Sequence, residues 1–310
     1  MKLDRRFQIG AAAGAAIFLL GLAIWVRSVH HNAGASGGRS ARREEVAPAR
    51  FVGQEAAPLT SAAGRGESHL RQHADQIDLA MLLILDFLAR RFDSGWMQAA
   101  AARVRTPSSA TPCGAGEAGC ESASARLSIR RLVDPSIRVT AADIASLAAA
   151  GGSKVDGFTF AALHCSTVPL AEDYPQRIAH WLDPAGEDYD PPHAALALQW
   201  ALEQDCLDAS EEPVARVRAL AIEQLARFAD GIPRDQPIEA VAMLGYLGAR
   251  DRVERRWLDA IVAAQHEDGG WGDQPDEASN DHTTILALWV LLEQTRPVHP
   301  APWITQSPTE

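Results

Sequence analysis

Aspartate and histidine recur together at the heads of apolar segments. Asp190 lies three residues before His193, Asp281 directly precedes His282, and Asp156 and Asp235 open two further segments of the same kind. A carboxylate beside an imidazole can hold or move a proton near neutral pH, and it can orient a hydroxyl-bearing ligand. The stretch His180 to Asp190, HWLDPAGEDYD, mixes aromatic and acidic side chains. That composition suits sugar binding or glycan cleavage by paired carboxylates, and equally a solvated loop. His164-Cys165 has the residue types of a nucleophile pair, but neighbours on a helix point apart. Gly-rich phosphate loops, His-Glu-x-x-His, Cys-x-x-Cys and Gly-x-Ser-x-Gly are all missing from the chain. No standard cofactor and no metal site are therefore implied.

The elements that must position these residues are helical. Ala, Leu, Glu, Gln and Arg dominate the periodic segments, and few β-branched alternating runs occur, so the expected class is all-α. HAALALQWALEQ, from 193, and HTTILALWVLLEQ, from 282, are related: each His is followed seven residues later by Trp (Trp200, Trp289), and both end in Glu-Gln. The offset of 89 residues suits two helical hairpins. Helix starts at Asp156, Asp190, Asp235 and Asp281, each aspartate a plausible N-cap, lie 34, 45 and 46 residues apart. More highly charged segments between them, such as EEPVARVRALAIEQLARFAD, read as amphipathic outer helices. An inner and an outer layer imply an α/α toroid or a curved solenoid. Parallel inner helices would gather Asp156, Asp190, His193, Asp235, Asp281 and His282 around one rim.

The segment RWLDAIVAAQHEDGGWGDQPDEASNDHTTILALWVLL, Arg256 to Leu292, resembles a repeat of the terpene cyclase and protein prenyltransferase superfamily, with Gln265, Gly269 and Trp271 at the spacing of its squalene-cyclase-like motif. The resemblance implies an α/α toroid, as a closed or an incomplete ring. Gln265 would bond free backbone groups at the outer helix end, Gly269 and Gly270 would allow the reversal, and Trp271 would pack over the corner. Most of what the family's enzymes require is missing. The cyclase acid motif has no counterpart beyond Glu187-Asp188-Tyr189-Asp190. Of the prenyltransferase zinc ligands, His282 and Asp156 resemble two, but Phe158 stands in the place of the cysteine. Zinc is not expected.

Charge and hydropathy set the surroundings. The chain carries −11 overall, with +5 in residues 1–66 and −16 in the remainder, which argues against nucleic acid as a partner. Residues 9–26, IGAAAGAAIFLLGLAIWV, hold no charge and follow Lys2, Arg5 and Arg6. Eighteen helical residues reach roughly 27 Å, enough for a single membrane span. A signal peptide cut near Ala33-Gly-Ala35 is the rival reading, and Gly10-Ala-Ala-Ala-Gly14 could pair two spans. The organisation expected is an anchor over 1–31, a flexible linker over 32–67, the toroid-like domain over 68–295 and a Pro-rich tail over 296–310. A plasma-membrane anchor with the domain on the extracytoplasmic side suits an even set of four cysteines, in which Cys113 and Cys120 could bridge or all four could be reduced. The functional expectation is an envelope ligand-binding or scaffolding module whose partner is a protein, lipid or glycan. The alternative is a toroid enzyme with its site at the inner-helix N-termini, either a hydrolase or lyase on envelope glycan or lipid or an enzyme resembling the terpene cyclases and prenyltransferases.

Overall fold

A computed structural model describes residues 46–105, 129–149 and 154–305. Its architecture is all-α: α1 (Ala57–Gln72), α2 (Leu79–Arg91), α3 (Gly95–Arg105), α4 (Ala141–Ala149), α5 (Lys154–Leu163), α6 (Tyr174–Trp181), α7 (Pro191–Glu203), α8 (Glu212–Phe228), α9 (Asp235–Tyr246), α10 (Arg255–Ala263) and α11 (Asp281–Thr295). Extended pairing among the described residues is confined to the isolated bridges Ala47–Val298 and Trp271–Asn280. Residues 9–26, 113 and 120 lie outside the described part. Within it, no helix is long and apolar enough to cross a membrane.

Helices α2, α11, α9, α7 and α5 pack in succession, with α8 lying across α6, α7 and α9, and α1 across α10 and α11. The inner helices α2, α7, α9 and α11 run parallel, as the partners at each end show. At the C-terminal end, Arg91 of α2 reaches Glu293 of α11 and the Gly245 carbonyl of α9, while Tyr246 of α9 donates to Glu203 of α7 at 2.6 Å. Their near-continuous apolar sequence follows from this placement, because neighbours surround them: ten residues of α9 and twelve of α11 are buried.

The related segments hold matched positions. Trp200 and Trp289 project inward and meet Trp303 edge to face at centroid distances of 5.7 and 5.6 Å, while Phe87 stacks on Trp303 at 5.0 Å. Glu203 and Glu293, the glutamates ending each repeat, are both hydrogen-bonded at the C-terminal end.

Both expected boundaries of the domain are corrected. The linker expected over 32–67 ends early: Ala47 pairs with Val298, the backbone N–H groups of Arg50 and Phe51 donate to the Gln294 carbonyl, and α1 starts at Ala57. Its Ala, Gly and Ser content is what permits close packing. A Cβ on Gly66 would come within 2.9 Å of the Trp271 ring. The tail expected from 296 is also packed as far as Thr305. Trp303 and Ile304 are buried, and their backbone N–H groups donate to Glu203 at 3.1 and 3.0 Å.

The expected capping pattern is corrected too. Asp190 caps α7, accepting from the His193 N–H at 3.3 Å, but Arg234 and Asn280 hold the N-cap positions of α9 and α11. Asp235 and Asp281 stand one residue inside their helices, so their carboxylates are not committed to capping. Cys165 is bridged to Cys206, which rules out a His164-Cys165 nucleophile and the reduced state of these two thiols. Forty-one residues separate the pair in sequence, and the packing of α5 on α7 brings them together.

Candidate functional site

The N-termini of α7, α9 and α11 meet at one mouth. Asp190 holds the α7 imidazole, with His193 Nδ1 3.0 Å from its carboxylate. Asp235, in the first turn of α9, receives His282 Nδ1 at 3.0 Å and the Thr283 hydroxyl at 2.7 Å, both from α11. The same hydroxyl lies 2.8 Å from Asp273, which Asn280 also reaches at 2.6 Å. One hydroxyl proton thus faces two carboxylates. The positive ends of three helix dipoles favour this concentration of acids.

One turn below Asp235 on α9 is Glu239, 9% exposed. Among the described residues no hydrogen bond reaches its carboxyl. Burial pushes its pKa up, the charges of Asp190 and Asp235 add to the rise, and His193 and His282 oppose it. Asp235 moves the other way: burial would raise its pKa, but the hydrogen bond and charge of His282, the Thr283 hydroxyl and the charge of His193 outweigh it. His282 is raised above its ordinary 6.5, because Asp235, Glu239 and Asp273 overcome the effect of burial. The site therefore favours a charged Asp235–His282 pair, and burial makes the Glu239 carboxyl beneath it harder to ionise than a free one. His282 and His193 have side chains 40% and 36% exposed, so solvent reaches the imidazoles while Glu239 lies behind them.

Of the expected rim, the structure brings together Asp190, His193, Asp235 and His282. Asp281 stands on α11 without a hydrogen bond or ion pair to them among the described residues. Asp156 lies in the first turn of α5, and its side chain is outside the described part. Glu239, Asp273 and Thr283 were not anticipated. The signal for Glu239 was a lone charge in PIEAVAMLGY four residues after Asp235, the spacing that puts both on one helix face. Among the described residues no group of three or more His, Cys, Asp or Glu side chains is arranged to hold a metal ion.

The motif residues form a corner between α10, α11 and α1. Gln265 donates to the carbonyls of Ala62 at 2.9 Å and Gly269 at 2.8 Å, and receives Arg65 of α1. Gly269 adopts φ +89°, and a Cβ there would lie 2.7 Å from the Arg65 carbonyl oxygen, so glycine is required on both counts. Trp271 is buried and its indole donates to the Ile261 carbonyl at 2.7 Å, closing the end of α10.

No protein-family model, curated protein or solved structure matches the chain.

Proposed function

We propose that this chain is a membrane-anchored α/α toroid that binds a hydroxyl-rich ligand, an envelope glycan, at the mouth formed by α7, α9 and α11. The observation that carries the reading is the gathering of four carboxyl groups, Asp190, Asp235, Asp273 and the buried Glu239, around the half-exposed imidazoles of His193 and His282. A ligand bringing O–H groups would give these carboxylates donors in place of water. The parallel inner helices and the Gln265–Gly269–Trp271 corner support a toroid. The apolar run at 9–26 supports the anchor, and the Cys165–Cys206 bridge supports an oxidising, extracytoplasmic setting. The superfamily resemblance contributes architecture alone. Phe158, where a zinc-binding cysteine would stand, is stacked against the aromatic rings of Tyr174 and Trp181.

A second reading, a hydrolase or lyase at the same mouth, is favoured by the opposed shifts of Asp235 and Glu239. Two carboxyls pushed apart are what acid–base chemistry uses: Glu239 in its protonated form would donate to a leaving oxygen, and an ionised aspartate would take a proton from water or from carbon.

Calorimetry and a reducing-end assay on neutral and amino-sugar oligosaccharides, with wild type, Glu239→Gln and Glu239→Ala, test both. A binding module loses affinity in Glu239→Ala and turns over nothing. A hydrolase or lyase keeps affinity in Glu239→Gln but loses turnover. If wild type binds none of the oligosaccharides, both readings fail and the cluster is a structural junction.

A further inference from the structure

The mouth leaves unused a cavity of about 820 Å³ among α4, α5 and α6, a size normal for a small-molecule site. Its wall is aromatic and aliphatic. Phe158 and Trp181 stack with ring centroids 5.4 Å apart and planes 2° from parallel, Tyr174 stacks on Phe158 at 4.8 Å, and Ile144 and Leu170 complete the apolar surface. The Tyr174 hydroxyl is already committed to the Phe158 carbonyl at 2.8 Å, so the wall offers a ligand no donor from that group.

The polar groups lie at the edge. His180 and Asp188 are 3.7 Å apart and answer one another. Arg177 has no such partner: its guanidinium carbon lies 6.0 Å over the Phe158 ring, and among the described residues no carboxylate or hydrogen-bond acceptor meets its side chain. The cavity thus joins an apolar wall to a positive charge at its margin that no carboxylate among the described residues meets. A guanidinium offers a planar fork matched to a carboxylate or phosphate, and Arg177 lies within cation–π reach of Phe158, beside the apolar wall.

We propose that this cavity binds a single-chain amphiphile with an anionic head, the chain lying against Phe158, Trp181, Ile144 and Leu170 and the head on Arg177. The proposal is independent of the glycan reading, since none of these residues belongs to the mouth.

The test is photolabelling of the full chain in a phosphatidylcholine bilayer with a diazirine-bearing lauric acid, followed by peptide mapping. Adducts are expected on residues 144–181. Excess laurate should suppress them and excess dodecanol should not, which separates an anionic head from mere apolarity. Arg177→Gln, at an exposed position whose loss leaves the fold intact, should cut labelling at least fivefold. Ala161→Trp, which fills the cavity while keeping Arg177, should do the same. Labelling spread along the chain, labelling indifferent to Arg177→Gln, or equal competition by dodecanol overturns the proposal, as does the lack of any adduct in the cavity.

Discussion

Arg91 and Glu293 form a bidentate ion pair at 2.7 and 2.8 Å in the interior, where the C-termini of α2 and α11 meet. The same guanidinium reaches the Gly245 carbonyl at 3.2 Å, tying in α9 as well. Glu293 is 1% exposed, so its charge is acceptable only while Arg91 answers it. Arg91→Met should therefore cost about 3–5 kcal/mol in urea unfolding, the typical penalty for stranding one partner of a buried pair. Arg91→Met combined with Glu293→Leu should recover a large part of that loss. If the double variant is no better than the single one, packing rather than charge governs the site.

The Asp235–His282 pair predicts a bounded pH optimum. His282 is raised above 6.5, so its contribution is complete below that value and fades as pH climbs through the folded pKa. Asp235 is lowered below 3.8, so its contribution is complete above that value and fades as pH drops through the folded pKa. Urea midpoints of wild type and His282→Gln should differ most between about pH 4 and 6.5 and converge in alkali. A constant difference from pH 4 to 9 would contradict the pairing.

Glu239 acts in the opposite sense to Asp235. Its folded pKa lies above the ordinary 4.5, so wild type loses stability as pH rises from there through the folded value. Glu239→Gln keeps the shape without the charge. Relative to wild type it should gain stability as pH increases, and the two chemical-denaturation curves plotted against pH should diverge toward alkali. Parallel curves would mean that folding leaves the Glu239 carboxyl's proton affinity unchanged.

Cys165–Cys206 closes a loop with a sequence separation of 41 residues. Replacing both cysteines by serine should lower stability by about 2–4 kcal/mol through the greater freedom of the unfolded chain. Reductant should shift the unfolding midpoint of wild type but not of the double variant.

Trp303 contacts Phe87, Trp200, Tyr246 and Trp289, one aromatic from each of four helices. Trp303→Ala should destabilise by about 3–5 kcal/mol, a core value, although the residue sits in a Pro-rich terminal stretch. A loss under 1 kcal/mol in thermal unfolding would show that the terminal segment is dispensable.

Much of this arrangement was legible from residue order. Helical periodicity gave the all-α class, and the His-to-Trp interval of two helical turns put Trp200 and Trp289 on the same helix faces as His193 and His282. Gln265, Gly269 and Trp271 marked a corner because reversal between two helices demands a backbone acceptor's partner, a residue tolerant of positive φ and a large cover. The borders were not legible. Ala, Gly and Ser in residues 57–67 have the composition of a tether, and only the ring of Trp271 against Gly66 makes smallness a packing requirement. The Pro-rich end reads as a tail until Glu203 is seen to accept its backbone N–H groups.

The sequence by itself determined which residues could lie at helix starts and which helix faces are apolar, because those properties depend on neighbours within a few turns. Only tertiary structure decided which of these residues meet. Asp235 and His282 are 47 residues apart, and Cys165 and Cys206 are 41. Their encounters depend on how α5, α7, α9 and α11 lie beside one another. Glu239 is an ordinary helix residue in sequence and becomes a perturbed carboxyl because packing removes its water and surrounds it with Asp190, His193, Asp235 and His282.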